Sequence, residues 1–530
     1  MRVTALCLVF FLPLAAADQG FQVSGTVVDH LTNQPLNHVL VNLLRSSKEG
    51  GSVSVLTESD GHFLFTAVPA GRYRLTAQRR GETPQGFHSD SNGYATALIV
   101  GPGLPTENLM FPLKANASIN GLVVDDQGEP VSGAQVQLFM QSVINGELQT
   151  IQSRGMNTNA AGEFHIGRLR PATYFLSAYG RPWYANFVAR QPGVTNKEID
   201  VVYPVTWYGN TTNGESASPI VLTEGSSLNI QIALHAVPGI HVEIPTTHSN
   251  PQLSVAGINL SVRGPGGVRV PIFGMFSFLN DAKVQVLSGI AAGRYEISIP
   301  PDGADRMNTS KSETLDLVDG MTVPAPAPSH LSVSGQITFA GGSRPEEDLE
   351  VFLQHTRNTA MAEVSEDGTF SFPADQLTAG SYEVRLNTRD LIIESMTVKG
   401  GKRLGEKIEL PGSGSVTLSL VVATADHLSE LKGYAIRNDS AFPGATLLLL
   451  PQDAGESRLI RRDQSDSDGS FTIRGVLPGK YTLVAIEDGS NLLYKTPGVM
   501  KPYLAGGVAI TVPLATADPL KVPVQALLPN

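Results

Sequence analysis

Cysteine is almost missing from this chain: of 530 residues only Cys7 is one. No disulfide can form within the molecule, so buried apolar cores alone must hold it together. Charge is scarce as well, at 16 % of residues against the usual ~25 %. The net charge is −11 and no long basic block occurs, which argues against a nucleic-acid partner and leaves the acidity to solubility. Beyond the N-terminus no apolar run reaches the ~18 residues of a membrane-spanning helix. No long 3.6-residue stripe occurs either, so extended helices are not expected. Tryptophan appears only twice, at Trp183 and Trp207.

What the chain does have is turn formers and enough apolar residues for cores. Glycine (53) and proline (35) are abundant and hydrophobic residues reach 41 %. Turn-rich, charge-poor and apolar enough to fold, the composition predicts an all-β protein. Length alone, at roughly 150 residues per domain, suggests three or four domains. The N-terminus reads MRVTALCLVFFLPLAAADQG, with Arg2 before an apolar stretch and then Ala15, Ala16 and Ala17. That pattern predicts a signal peptide over residues 1–17, cleaved before Asp18, and an exported product. Cys7 lies inside it, too early to be the lipid-bearing cysteine of a lipoprotein.

Internal repetition organises the rest. SDGHFLFTAVPAGRYRLTA (59–77), AAGEFHIGRLRPATYFLSA (160–178), EDGTFSFPADQLTAGSYEVRL (366–386) and SDGSFTIRGVLPGKYTLVA (467–485) are copies of one pattern, and LSGIAAGRYEISI (287–299) is a worn one. Glycine precedes tyrosine by twelve residues in three copies (Gly61 to Tyr73, Gly162 to Tyr174, Gly469 to Tyr481) and by fourteen from Gly368 to Tyr382. With Tyr295 of the worn copy, the tyrosines recur about every 100 residues. Each copy has a lead strand such as FQVSGTVVD (21–29) or LSVSGQITF (331–339), and a trailing strand such as SGSVTLSLVV (413–422). Period-two alternation broken by Gly, Pro, Asn and Asp predicts strands and turns, and regular short strands predict sandwiches. Phe63, Phe164, Phe370 and Phe471 and the residues two further on should face one core. The glycine before each phenylalanine should take positive φ in a hairpin turn. The tyrosine should bury its ring and bond its hydroxyl to backbone.

Gly121-Leu-Val-Val-Asp-Asp-Gln-Gly-Glu-Pro-Val-Ser-Gly-Ala-Gln-Val and the run from Asp468-Gly469-Ser470-Phe471 to Pro478-Gly479-Lys480-Tyr481 resemble the carboxypeptidase regulatory-like domain. The resemblance implies a transthyretin-like, carbohydrate-binding-like, seven-stranded Greek-key β-sandwich, near collagen-adhesin B-type and starch-binding domains. The family has no common activity. The expected architecture is thus a tandem array of about five β-sandwich modules, over residues 18–114, 115–236, 237–328 (divergent), 329–423 and 424–530. Short linkers imply an elongated, semi-rigid rod.

Candidate chemistry is sparse. The acidic turn before Gly469 does not fit an EF-hand: with Gly469 at position 6, Gln464 takes position 1 and Gly475 position 12, where acids are needed. The copy NTNAAGEF (157–164) has no acid before its glycine. His427-Leu-Ser-Glu430 matches the H-x-x-E pair of zinc carboxypeptidases, but residues three apart on a strand face opposite ways. No catalytic residue, cofactor or metal ligand is therefore assigned, and an enzyme is not expected. Exposed aromatics are the better lead. Trp183, Tyr184, Trp207 and Tyr208 lie between a repeat hairpin and its trailing strand, where loop aromatics could stack on sugar, cover the sandwich's open end or dock on a neighbouring module. The leading expectation is a non-catalytic scaffold, spacer or adhesion protein. It would be secreted, periplasmic or cell-envelope associated, with a protein or polysaccharide partner. The alternative is carbohydrate binding through those four aromatics.

Overall fold

The computed structural model describes residues 20–527 except 48–49, 91, 186–195, 245–257, 280–283, 300–310, 324–330, 341–343, 345–347, 356–357, 374–376, 378, 389–390, 406, 453–456 and 513–519. The expected signal peptide lies outside the described residues. Almost every regular element is a β-strand, as the composition predicts.

The first segment shows the plan. Strands His62–Val68, Phe21–Asp29 and Leu109–Leu113 form one sheet, in that order. Ser52–Leu56, Leu40–Arg45 and Gly71–Gln78 form the facing one, with Leu98–Val100 on its far side. The lead strand runs parallel to the trailing strand, from Gly25 opposite Leu109 to Asp29 opposite Leu113. The same parallel pairing recurs between Ala117–Val124 and Ser227–Ala233, Leu331–Ala340 and Gly414–Ala423, and Ser429–Arg437 and Leu520–Gln525. Inward side chains of the two sheets make the cores around residues 21–113, 117–234, 331–422 and 431–524.

The repeat residues sit where their spacing puts them. Phe63, Phe65, Phe164, Ile166, Phe370, Phe372, Phe471 and Ile473 are all buried, each contributing roughly 1.5–3 kcal/mol. Gly61, Gly162, Gly368 and Gly469 take φ between 70° and 84°, the left-handed region that a side chain disfavours. Each donates its N–H to the carbonyl three residues back, and its own carbonyl accepts from the lead strand at Val27, Val123, Ile337 or Ala435. Tyrosine hydroxyls donate to the carbonyl four residues earlier: Tyr73 to Pro69 at 2.8 Å, Tyr174 to Arg170 at 2.8 Å, Tyr295 to Ala291 at 2.9 Å and Tyr481 to Leu477 at 2.9 Å. Burial raises the pKa of all four hydroxyls, that of Tyr295 to about 12. Tyr481→Phe leaves the buried Leu477 carbonyl without its donor. The expected loss is about 1–3 kcal/mol, read as a lower urea midpoint.

Two further repeat features come from the structure. The lead-strand glycines Gly25, Gly121, Gly335 and Gly433 stand directly opposite Phe63, Phe164, Phe370 and Phe471. At Gly121, Gly335 and Gly433 an added Cβ would overlap that phenylalanine ring, so glycine there makes room for the aromatic. The second feature is a hydroxyl four residues before the turn glycine. Thr57 donates to the Leu36 carbonyl at 2.7 Å and accepts from Val39 N–H at 3.0 Å. Thr158 bridges Val131 and Ala134, and Ser465 bridges Phe442 and Ala445, in the same way.

The third segment departs from the plan. Its lead strand Val237–Ile244 continues the sheet of the second segment by pairing with Val201–Trp207. Among the described residues, its parallel pairing is a single bridge between Glu243 and Thr322. One core joins Phe139, Phe175, Tyr179, Val205 and Trp207 of the second segment to Ile240, Val242, Leu260, Leu287 and Ile297 of the third. Five of the eighteen buried residues of this core come from the second segment, so a neighbour's sheet face completes the third segment's interior.

A rod with contacts only between successive segments is not what forms. The chain doubles back, and the first segment rests on the fifth. The Arg72 guanidinium holds Asp466 with two bonds of 2.8 and 2.9 Å. Arg462 donates to Asp90 at 3.0 Å and lies 4.0 Å from the Tyr94 ring centroid. Ser467 donates its N–H to the Ala97 carbonyl at 2.9 Å and accepts from Ile99 N–H at 2.9 Å. Asn92 donates to the Ser490 carbonyl at 2.9 Å. Asp466 and Ser467 of the acidic run thus dock the fifth segment on the first.

Candidate functional site

The four sequence-selected aromatics separate. Trp207 ends the strand Val201–Trp207, opposite Ser177, and is fully buried. Its ring sits 5.4 Å from that of Phe139 and presses on Gly264, where a Cβ would come within 2.6 Å of it. The sequence left Trp207 open between stacking on sugar, covering the sandwich's open end and docking on a neighbouring module. The structure takes the last of these and rules out stacking: Trp207 is the anchor between the second and third segments, with no ring face open. Tyr208 is partly buried and packs against the core of the second segment.

Trp183 and Tyr184 follow the strand Ala172–Gly180 and lie on the surface, 85 % and 40 % exposed. Their rings meet edge to face with centroids 5.8 Å apart. Two residues earlier, Arg181 donates to the Gly289 carbonyl at 3.0 Å and stacks 4.3 Å from the Phe276 ring centroid. Arg181 lines a cleft of about 180 Å³ between the second and third segments, together with Tyr179, Tyr203 and Phe273. Burial pushes the Tyr203 hydroxyl up to about 12, so it stays a neutral donor at physiological pH. The exposed Trp183 indole against the Tyr184 ring offers a stacking face.

The acidic turns are held by their own backbone. Asp468 accepts from Ser470 N–H at 3.0 Å and from its hydroxyl at 2.6 Å. Asp60 and Asp367 accept from His62 and Thr369 in the same way. Asp466 is committed to Arg72, and burial still raises its pKa. His427 closes a short turn, Ala425–His427, while Glu430 faces Lys432 at 3.3 Å and Arg474 at 3.9 Å. Among the described residues, no three His, Cys, Asp or Glu side chains are grouped to hold a metal ion.

These features define a multi-sandwich β-protein whose recurrent polar residues brace the fold. The carboxypeptidase regulatory-like domain family model matches residues 22–102 and 118–235, the first two segments. No curated protein matches the chain. Similar solved structures include the minor pilin GBS52 of Streptococcus agalactiae, with 15 % identity over 43 % of this chain and 99 % of that one and a TM-score of 0.21. The Bacillus anthracis TIE protein shares 9 % identity over 95 % of this chain and 73 % of that one, with a TM-score of 0.16. The RrgB pilus protein of Streptococcus pneumoniae shares 8 % identity over 70 % of this chain and 90 % of that one, with a TM-score of 0.15. Likenesses of this size carry no argument about function.

Proposed function

We propose that this chain is a non-catalytic, exported scaffold, spacer or adhesion protein of the cell envelope or exterior. Its five sandwich units would span residues 18–114, 115–236, 237–328, 329–423 and 424–530, after a signal peptide of residues 1–17. The observation that carries the reading is where the recurrent polar groups go. Turn acids, clamp hydroxyls and corner tyrosines are bonded into the fold in copy after copy, so repetition multiplies framework. N-terminal sequencing of protein recovered outside the cytoplasm tests export. A start at Asp18 supports it, and retention inside with Met1 intact overturns it. Turnover of ester, peptide or glycoside substrates by the purified chain would overturn the non-catalytic reading.

A second reading is carbohydrate binding, favoured by the exposure of Trp183 beside Tyr184. An exposed tryptophan of this kind would be the contact that dominates affinity. Trp183→Ala is expected to weaken retention on the bound polysaccharide by at least about tenfold without shifting the melting temperature. Equal retention by wild type and variant would remove this reading and leave the scaffold one standing.

A further inference from the structure

We infer that the edge strand Ser52–Leu56 is a self-pairing surface that joins two copies of this chain into a continuous sheet. Natural proteins blunt open sheet edges with charge, proline or cover. Several outer strands carry charge: Glu147–Asn157 has Glu147 and Arg154, Lys402–Leu404 has Lys402 and Arg403, and Arg461–Gln464 has two arginines and Asp463. The outer strands Ser227–Ala233 and Thr369–Phe372 have no charge, but none of their large apolar side chains is exposed. Ser52–Leu56 reads Ser-Val-Ser-Val-Leu, with neither charge nor proline. Val53 and Leu56 are 59 % and 58 % exposed. Among the described residues, only Leu40–Arg45 pairs with this strand, along one side. The far side of the same sheet carries Leu98–Val100, where Ile99 meets Ser467 of the fifth segment. Among the described residues, internal strand pairing and docking therefore take one side of the sheet and leave the other unpaired.

The strand's own sequence selects the occupant. Antiparallel pairing about a two-fold axis at Ser54 sets Ser54 against Ser54, Val53 against Val55 and Ser52 against Leu56. No like charges meet, whereas a net charge of −11 opposes close approach of two copies elsewhere. Val53 and Val55 stand opposite the buried Leu43 and Val41, so pairing would carry those inward-facing rows across the axis. On the outer face, Leu40 lies in register with Leu56 and both are exposed, and an added strand would cover part of that apolar strip. Backbone bonds would supply the affinity and the alternating side chains the register.

Sedimentation of the purified full chain over rising concentration tests the inference. Wild type is expected to dimerise reversibly. Ser54→Lys, on an exposed position, is expected to weaken the dimer by about tenfold or more through like charges set opposite each other, with an unchanged circular dichroism spectrum. Ser54→Glu should do the same, and an equimolar mixture of the two variants should dimerise again. Recovery on mixing separates edge pairing from a folding defect. A wild type that stays monomeric overturns the inference, including the case in which the edge takes a strand from a different protein. Dimers that ignore both substitutions, or variants that fail to recover on mixing, overturn it equally.

Discussion

Trp207→Ala is expected to cost about 3–5 kcal/mol and to loosen two segments at once. The indole is wholly buried and touches both sides of one core, Phe139 from the second segment and Gly264 from the third. Removing it leaves a cavity that neither partner can close alone, because the two segments also share a sheet through Val202 and Val237. Native-state hydrogen exchange checks this. Amides of Ile240–Ile244 should lose protection together with those of Ala172–Gly180. Protection lost in the second segment alone would mean that the two halves of the core open independently.

The second large effect concerns the contact between the chain's first and fifth segments. Arg72→Ala combined with Arg462→Ala is expected to free the first segment from the fifth and raise the radius of gyration in small-angle scattering. The Arg462 and Asp90 side chains are only 17 % and 10 % exposed, so losing the arginine leaves Asp90 Oδ2 without its partner, while Oδ1 keeps the N–H groups of Asn92 and Tyr94; the cost is about 1–3 kcal/mol. Arg72 is 55 % exposed against 10 % for Asp466, and solvent screening makes its share smaller. An unchanged scattering profile would show that Ser467 and Asn92 hold the contact without the ion pairs.

Local pattern was legible and long-range encounter was not. The Gly-Phe-x-Phe hairpin and the corner tyrosine could be read because each occupies one fixed place in a repeating strand register, and burial follows from period-two alternation. The lead-strand glycines Gly121, Gly335 and Gly433 stood in plain view, but the room they make is for a phenylalanine 35 to 43 residues away. Trp207 stayed open between a sugar and a neighbouring unit because the alternation that places a residue on a sheet face does not say whether that face meets water or another segment. Here the worn third copy was the available signal, since a unit that cannot complete its own core must borrow one. Arg72 and Asp466 lie 394 positions apart, and nothing in either neighbourhood announces the pair. The exposed Trp183–Tyr184 pair was found by its rarity and its place after a strand.

The side-by-side, same-direction run of the first and last strands in four of the segments has a mechanical consequence. In the fourth segment ten consecutive residue pairs, from Leu331 with Gly414 to Ala340 with Ala423, join the two. Tension applied at the ends of such a unit drags these strands lengthwise past each other. Every rung of the ladder then bears load together instead of parting one by one, so the unit resists stretching like a lap joint under shear.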